Sequence, residues 1–148
     1  MAVIECVPNI SEGRRTEVVA GIAEALGAVP GLRVLDVQSD ATHNRSVLTI
    51  AGDAASLRAG IPLLFERTLE VVDLRLHRGE HPRLGAVDVV PFIPIEGVTM
   101  AECVALAREV GDLVGRRLGV PVYLYEDAAS RPERKNLENI RQIGRAHV

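Results

Sequence analysis

The chain contains few aromatic residues and no cluster of basic ones. Phenylalanine, tyrosine and tryptophan together make up 3% of the 148 residues, which leaves few flat side chains on which nucleic-acid bases could stack. The net charge is −3, and the basic residues are scattered along the chain. Because nucleic-acid-binding proteins usually carry a concentrated positive patch, we expect no nucleic-acid partner.

Long apolar runs are also missing. No run approaches the roughly 20 residues that a transmembrane helix needs, and residues 2–7 read as a strand instead of a secretory signal. We therefore expect no membrane association and a cytoplasmic location. Cysteine is rare: Cys6 and Cys103 lie in apolar segments without the spacing of metal ligands, and we expect both to be buried and reduced.

The hydrophobic content of 47% in 148 residues is enough for one domain with a substantial core. Apolar periodicity predicts strands at 2–7, 32–37, 46–51 and 87–94, with helical faces at 18–26 and 57–72 between them. A third helix, from a capping box at 99–102 to Gly119, and a short strand at 121–125 follow. This order predicts an α+β fold: a ferredoxin-like βαββαβ sandwich with an added αβ unit, an open mixed sheet and helices on one face.

Three details of these elements can be tested. Asp53 is the expected N-cap of the second helix, and Pro62 predicts either a kink in that helix or a regular part that starts near the proline. The prolines of the strand at 87–94 are expected to terminate it, because proline cannot donate to a ladder.

Residues 77–86 combine five ionisable side chains with two glycines and a proline, which disfavour a helix. His77, Glu80 and His81 match the H-x-x-E-H spacing of inverted zinc peptidases, which requires a helix so that both histidines face one ion. A glycine and a proline within the segment disfavour a helix there. We therefore predict a loop without a metal.

A second interpretation of this segment is acid–base chemistry. His81, held in an extended conformation by the following proline and flanked by Arg78 and Arg83, is suited to act as a general base near anionic substrate groups. The alternative, in which His81 only packs against or caps the following strand, stays open.

Two further polar segments lie at predicted strand ends. Residues 40–45 form a turn in which the planar guanidinium of Arg45 suits a carboxylate, although a solvated turn arginine is an equal alternative. Residues 7–13 form a loop with Asn9, and Ser11 is a candidate cap for the next helix. Because loops at strand ends tend to share a rim, we expect Asn9, Arg45 and His81 to lie together.

Four blocks of sequence resemble one known family. They are ECVPNISEG at 5–13, HNRSV at 43–47, HRGEHPRLGAVDVVPFIP at 77–94 and PVYLY at 121–125. With these blocks the chain resembles the N-terminal subdomain of glutamate formimidoyltransferase, the folate-dependent enzyme of histidine breakdown.

The resemblance implies transfer of a formimidoyl group from N-formimidoyl-L-glutamate to N5 of tetrahydrofolate, the co-substrate, without a metal. The family's catalytic histidine falls on His81, which would accept the N5 proton. The resemblance also suggests substrate-binding residues, with arginines for carboxylates and asparagines for hydrogen bonds: Arg45, Arg78, Arg83, Asn9 and Asn44. One departure is Gln38, whose position is often acidic in the family, so any role in assisting the histidine would have to pass to Asp40.

The family's transferase unit continues into a second subdomain that closes the cleft and supplies much of the folate site. We therefore expect residues 1–142 to be a truncated N-terminal subdomain, nearly inactive alone, and residues 143–148 to be a non-native tail. A homodimer is also expected. The rival hypotheses are a non-catalytic α+β interaction module and, less favoured, a metal-dependent hydrolase using His77, Glu80 and His81.

Overall fold

A computed structural model of the chain describes residues 2–72, 87–119 and 122. The described part contains a six-stranded sheet and three helices. Their order is β1 (Val3–Cys6), β2 (Asn9–Ile10), α1 (Thr16–Gly27), β3 (Arg33–Asp40), β4 (Arg45–Gly52), α2 (Ala54–Val71), β5 (Val87–Val89), β6 (Phe92–Glu96) and α3 (Met100–Leu118).

The sheet is organised around the first ten residues. β1 and β2 both pair with β4 on one side. On the other side, β1 pairs with β6 and β2 pairs with β5. β3 pairs with the opposite edge of β4. All these pairings are antiparallel. The α+β class is confirmed, and the strands predicted at 32–37 and 46–51 pair with each other. Within the described residues the sheet is antiparallel and not mixed as expected. The ferredoxin-like assignment stays a prediction. The strand at 121–125 that would complete the added αβ unit falls, except for residue 122, outside the described residues.

One face of the sheet is packed against the helices. Alternate residues of β1 and β4, namely Ile4, Cys6, Leu48 and Ile50, are at most 1% exposed, as expected for a strand whose side chains point to opposite faces. They form one core with Val19, Ile22, Leu26, Leu57, Ile61, Leu64, Cys103, Leu106, Val110 and Val114 of the helices. The intervening residues lie on the other face, which we call the open face.

Both cysteines belong to this core, which confirms their predicted burial and free state. Burial raises the pKa of both thiols, since the charged thiolate is disfavoured away from water. Neither thiol is therefore activated as a nucleophile.

The helix starts follow the sequence signals. The Asp53 side chain accepts the N–H of Ser56 at 2.8 Å, and the Thr99 hydroxyl accepts the N–H of Glu102 at 3.1 Å, so both predicted N-caps are confirmed. α3 ends at Gly119, whose φ of 68° is the left-handed conformation that glycine adopts without strain.

One prediction about proline and one about capping are wrong. At Pro62 one of the two alternatives is excluded: α2 already begins at Ala54, so its regular part does not start near the proline, and the kink stays a prediction. The strand predicted at 87–94 is broken before Phe92, and β6 then continues through Pro94 to Glu96. Proline is tolerated there because β6 has a described neighbour, β1, on one side only. Ser11 does not cap α1, which begins at Thr16.

None of the helices in the described ranges is both long enough and apolar enough to cross a membrane.

Candidate functional site

Asn9 and Arg45 lie on the open face of the sheet. Asn9 in β2 is opposite Val47 in β4, and Arg45 is two residues before Val47 on the same strand. Side chains two apart on a strand share a face, and diagonal neighbours on adjacent strands are roughly 7–8 Å apart. The structure therefore brings together two of the three residues that strand-end reasoning placed on one rim. The third, His81, lies outside the described residues.

A depression of about 400 Å³ adjoins Arg45, a volume within the range of small-molecule sites. It is lined by Gln38, Ser39, Asp40, Ala41, Arg45 and Val47. Both strands reach further than predicted: β3 extends to Asp40 and β4 begins at Arg45, so these two residues pair across the ladder instead of belonging to a loose turn. Arg45 is consequently held by strand backbone.

Asp40 organises the turn between β3 and β4. One of its carboxylate oxygens accepts the backbone N–H of His43 at 3.1 Å, and the other lies 2.7 Å from Nδ1 of His43. The backbone hydrogen bond from His43, followed by the side-chain one, lowers the pKa of Asp40. Both oxygens of Asp40 thus serve the turn, while Gln38 donates its amide to Asp36 at 2.9 Å. The expectation that Asp40 replaces Gln38 in assisting the histidine stays a prediction.

Asn44 fastens this turn to the loop after β2. It adopts a left-handed backbone with φ of 52°, and its buried Oδ1 accepts the N–H of Gly13 at 2.9 Å. At Gly13 a Cβ would lie 2.4 Å from the carbonyl oxygen of Asp40 and 2.5 Å from backbone atoms of Arg45. Close backbone approach therefore explains the glycine. The contact gives Asn44 a structural role, and its predicted role towards a substrate is untested.

A cluster that we call the Glu12–Arg15 clamp consists of Glu12, Arg15 and the backbone carbonyl of Val71. Glu12 is 3% exposed. Its carboxylate accepts the backbone N–H groups of Arg14 and Arg15 at 3.1 and 3.0 Å, and Nε of Arg15 at 2.7 Å. The Arg15 guanidinium also donates to the carbonyl of Val71, the last residue of α2.

The clamp has an electrostatic and a positional consequence. Burial alone would raise the pKa of Glu12, but the hydrogen bonds from Arg15 and Arg14 outweigh it and lower the pKa. Glu12 also satisfies the backbone N–H groups of Arg14 and Arg15 immediately before α1, whose start has no side-chain cap. Val71 is the last residue of α2. The clamp therefore holds the end of α2 beside the loop that follows β2, and the chain continues from that end towards His81.

Sequence reasoning missed this clamp. A glutamate followed three residues later by an arginine is common on solvated helices, and nothing in the sequence indicates that this glutamate is buried. Five residues named from the sequence, His77, Arg78, Glu80, His81 and Arg83, fall outside the described residues. In the portions that the structure describes, no group of three His, Cys, Asp or Glu side chains is placed to hold a metal ion.

Comparison with known proteins identifies relatives over nearly the whole chain. The family model described as "Formiminotransferase domain, N-terminal subdomain" matches residues 3–146. A glutamate formimidoyltransferase of Streptococcus pyogenes is 45% identical over 95% of this chain and 47% of its own length, and one of Thermoplasma acidophilum is 46% identical over 95% and 46%. A formimidoyltransferase-cyclodeaminase of Rattus norvegicus is 44% identical over 93% of this chain and 26% of its own length.

The chain spans about half the length of the first two relatives. Two of the four blocks of the sequence resemblance, residues 5–13 and 43–47, are joined in the structure by the hydrogen bond between Gly13 and Asn44. The family match extends well beyond them, over residues 3–146. The chain belongs to the formiminotransferase domain family, as an N-terminal subdomain.

Proposed function

We propose that the chain is the N-terminal half of a glutamate formimidoyltransferase, which moves a formimidoyl group from N-formimidoyl-L-glutamate to N5 of tetrahydrofolate. The observation that carries the proposal is the family match over residues 3–146. Its relatives bear the names glutamate formimidoyltransferase and formimidoyltransferase-cyclodeaminase. We place the reaction in histidine degradation and in the cytoplasm, without a metal.

In the proposed reaction the N5 amine attacks the formimidoyl carbon and a new N–C bond forms. The His81 imidazole accepts the N5 proton. The bond between that carbon and the glutamate nitrogen then breaks, and the nitrogen takes up a proton as glutamate leaves. A base positioned in this way contributes about 10²–10⁴-fold to the rate. Arg78 and Arg83 flank His81 in the sequence, and nearby positive charge keeps an imidazole neutral and able to accept the proton.

Arg45 is the proposed partner of a substrate carboxylate within the described residues. It lies on the open face and lines the depression beside Val47, diagonal to Asn9. A guanidinium offers two parallel N–H groups to a carboxylate, and an amide can orient a neighbouring polar group. Arg78 and Arg83 are proposed for further carboxylates and Asn44 for a hydrogen bond, from the resemblance alone.

We further propose that the open face is completed by a second half of the kind that the relatives carry, since the chain accounts for 47% and 46% of the two glutamate formimidoyltransferases. That half would supply much of the tetrahydrofolate site. Residues 1–148 alone should then turn over very slowly.

The proposal is tested by joining this chain to the second half of the Streptococcus pyogenes relative. Transfer from N-formimidoyl-L-glutamate to tetrahydrofolate is followed by mass spectrometry, with N-formyl-L-glutamate as the competing donor. We expect turnover with the formimidoyl donor in the joined protein and very little in residues 1–148. Absence of transfer in a joined protein that is folded and binds tetrahydrofolate would refute the proposal.

Arg45 is tested in the same joined protein. Arg45→Ala should raise KM for the glutamate donor by about tenfold or more, because a charged hydrogen bond contributes about 1.5–3 kcal/mol, while Arg45→Lys should recover part of the loss. Arg116→Ala is the matched control, since Arg116 is exposed on α3 and pairs with Asp112. Equal KM values for the Arg45→Ala and Arg116→Ala proteins would remove Arg45 from the site.

A further inference from the structure

The loop between β2 and α1 is fastened to the turn that precedes Arg45. The N–H of Gly13 donates to the side chain of Asn44, and Nε of Arg14 donates to the carbonyl of Ala41 at 2.8 Å. Both acceptors belong to the turn between β3 and β4. The loop is therefore tied to the side of the depression at which the donor carboxylate is proposed to bind.

The same loop holds the end of α2. The carbonyl of Val71 is one of the last four of the helix, which have no partner within it, and the last turn of α2 contains no basic side chain. The Arg15 guanidinium supplies this carbonyl with a hydrogen bond and the helix end with a positive charge. Although the Arg15 side chain is half-exposed, the buried carboxylate of Glu12 fixes its orientation. The chain then leaves the helix through Val72, which is extended and 8% exposed.

The other end of the segment that carries His81 is anchored to the same part of the chain. Val87, the first residue of β5, pairs with Ile10, the last residue of β2. The two anchoring residues, Ile10 and Arg15, are five positions apart, so their backbones are separated by at most roughly 18 Å. Fixing both ends of a connecting segment restricts the positions that its residues can reach. The segment between α2 and β5 is restricted in this way.

We propose that Arg15 is a positioning residue for the transfer: with Glu12 it fixes the end of α2, and thereby the point from which the chain runs to His81. This role rests on the proposed function, in which His81 is the base and Arg45 binds a donor carboxylate. Arg15 itself touches neither substrate. Because a misplacement of about 1 Å can lower a rate by about 10²-fold, loss of the anchor should act on kcat and not on donor binding.

The test uses the joined protein, at a temperature at which every variant is folded. Arg15→Ala should lower kcat by about tenfold or more and leave KM for the donor within about twofold. Arg15→Lys should recover part of the loss, because an ammonium group can still donate to the carbonyl of Val71. Arg67→Ala is the matched control, since Arg67 is exposed near the end of α2 and pairs with Glu70 of the same helix. Thr99→Ala controls for lost stability alone, and both controls should keep kcat within about twofold.

A double-mutant cycle tests whether Arg15 acts through His81. In the His81→Ala protein, the residual rate should change by less than about twofold when Arg15 is also replaced by alanine, with or without added imidazole, since the group that Arg15 positions is gone. A tenfold loss in both backgrounds would show that Arg15 acts on something other than His81, and would overturn the proposal.

Failure of the positioning role is distinguishable from failure of the proposed function. If His81→Ala leaves kcat unchanged, the proposed base is wrong and the role of Arg15 falls with it. If His81→Ala lowers kcat but Arg15→Ala does no more than Arg67→Ala, or raises only KM for the donor, the positioning role alone is overturned. An equal loss of kcat in Arg15→Ala and Thr99→Ala would assign the effect to stability and would overturn it as well.

Discussion

Replacement of Glu12 by glutamine tests the Glu12–Arg15 clamp. Glu12 is 3% exposed, and its carboxylate accepts hydrogen bonds from two backbone N–H groups and from the Arg15 guanidinium. Glutamine has nearly the same shape, but only one of its two terminal atoms can accept. Hydrogen bonds to a charged group contribute about 1.5–3 kcal/mol each, whereas the ion pair itself is discounted because the Arg15 side chain is 50% exposed. We expect Glu12→Gln to lower the free energy of unfolding by about 2–3 kcal/mol.

The assay is urea unfolding followed by circular dichroism, because the chain has no tryptophan to report by fluorescence. The exposed Glu24 on α1 provides the control, and Glu24→Gln should change stability by less than about 0.5 kcal/mol. The effect should also depend on pH. Since the pKa of Glu12 is lower in the folded protein, its stabilisation is present above the ordinary glutamate pKa of about 4.3 and is lost as the pH falls through the folded value. Equal losses for Glu12→Gln and Glu24→Gln at neutral pH would refute this reasoning.

Two further predictions concern local structure. Gly13→Ala should destabilise the chain by about 3 kcal/mol or more, because its Cβ would lie 2.4 Å from the carbonyl oxygen of Asp40. The control is Gly21→Ala, whose Cβ would meet no atom within 4 Å and which should stabilise α1 by about 0.5–1 kcal/mol. Equal shifts in melting temperature for the two proteins would contradict the packing argument. Thr99→Ala should cost about 1 kcal/mol in urea unfolding through loss of the α3 cap, and Thr99→Ser should retain most of it. A Thr99→Ala protein as stable as the wild type would show that this cap contributes little.

Local sequence signals predicted the helix starts and the strand order well. Asp53 and Thr99 have side chains that satisfy N–H groups at helix starts, so their roles follow from neighbouring residues alone. The strand predicted at 46–51 corresponds to β4, whose residues alternate in burial. The class of fold followed from the order of these segments.

The errors arose where tertiary contacts override local preference. Pro94 continues β6 because β1 is its described neighbour on one side, which local sequence cannot show. Ser11 does not cap α1, and the N–H groups just before the helix are satisfied instead by Glu12, a charged side chain buried against Arg15. At the site, the sequence indicated that Asn9 and Arg45 share a rim, but the contact between Gly13 and Asn44 that joins their segments is a long-range backbone fit.

The proposed reaction depends most on His81 as the acceptor of the N5 proton. The direct measurement is kcat for formimidoyl transfer in the joined protein with and without His81→Ala, with donor binding measured by calorimetry. We expect kcat to fall by about 10²–10⁴-fold while the donor still binds. We also expect an added imidazole base to restore part of the rate. A kcat within about twofold of the wild-type value, in a protein with unchanged donor affinity, would contradict the assignment of His81 as the general base.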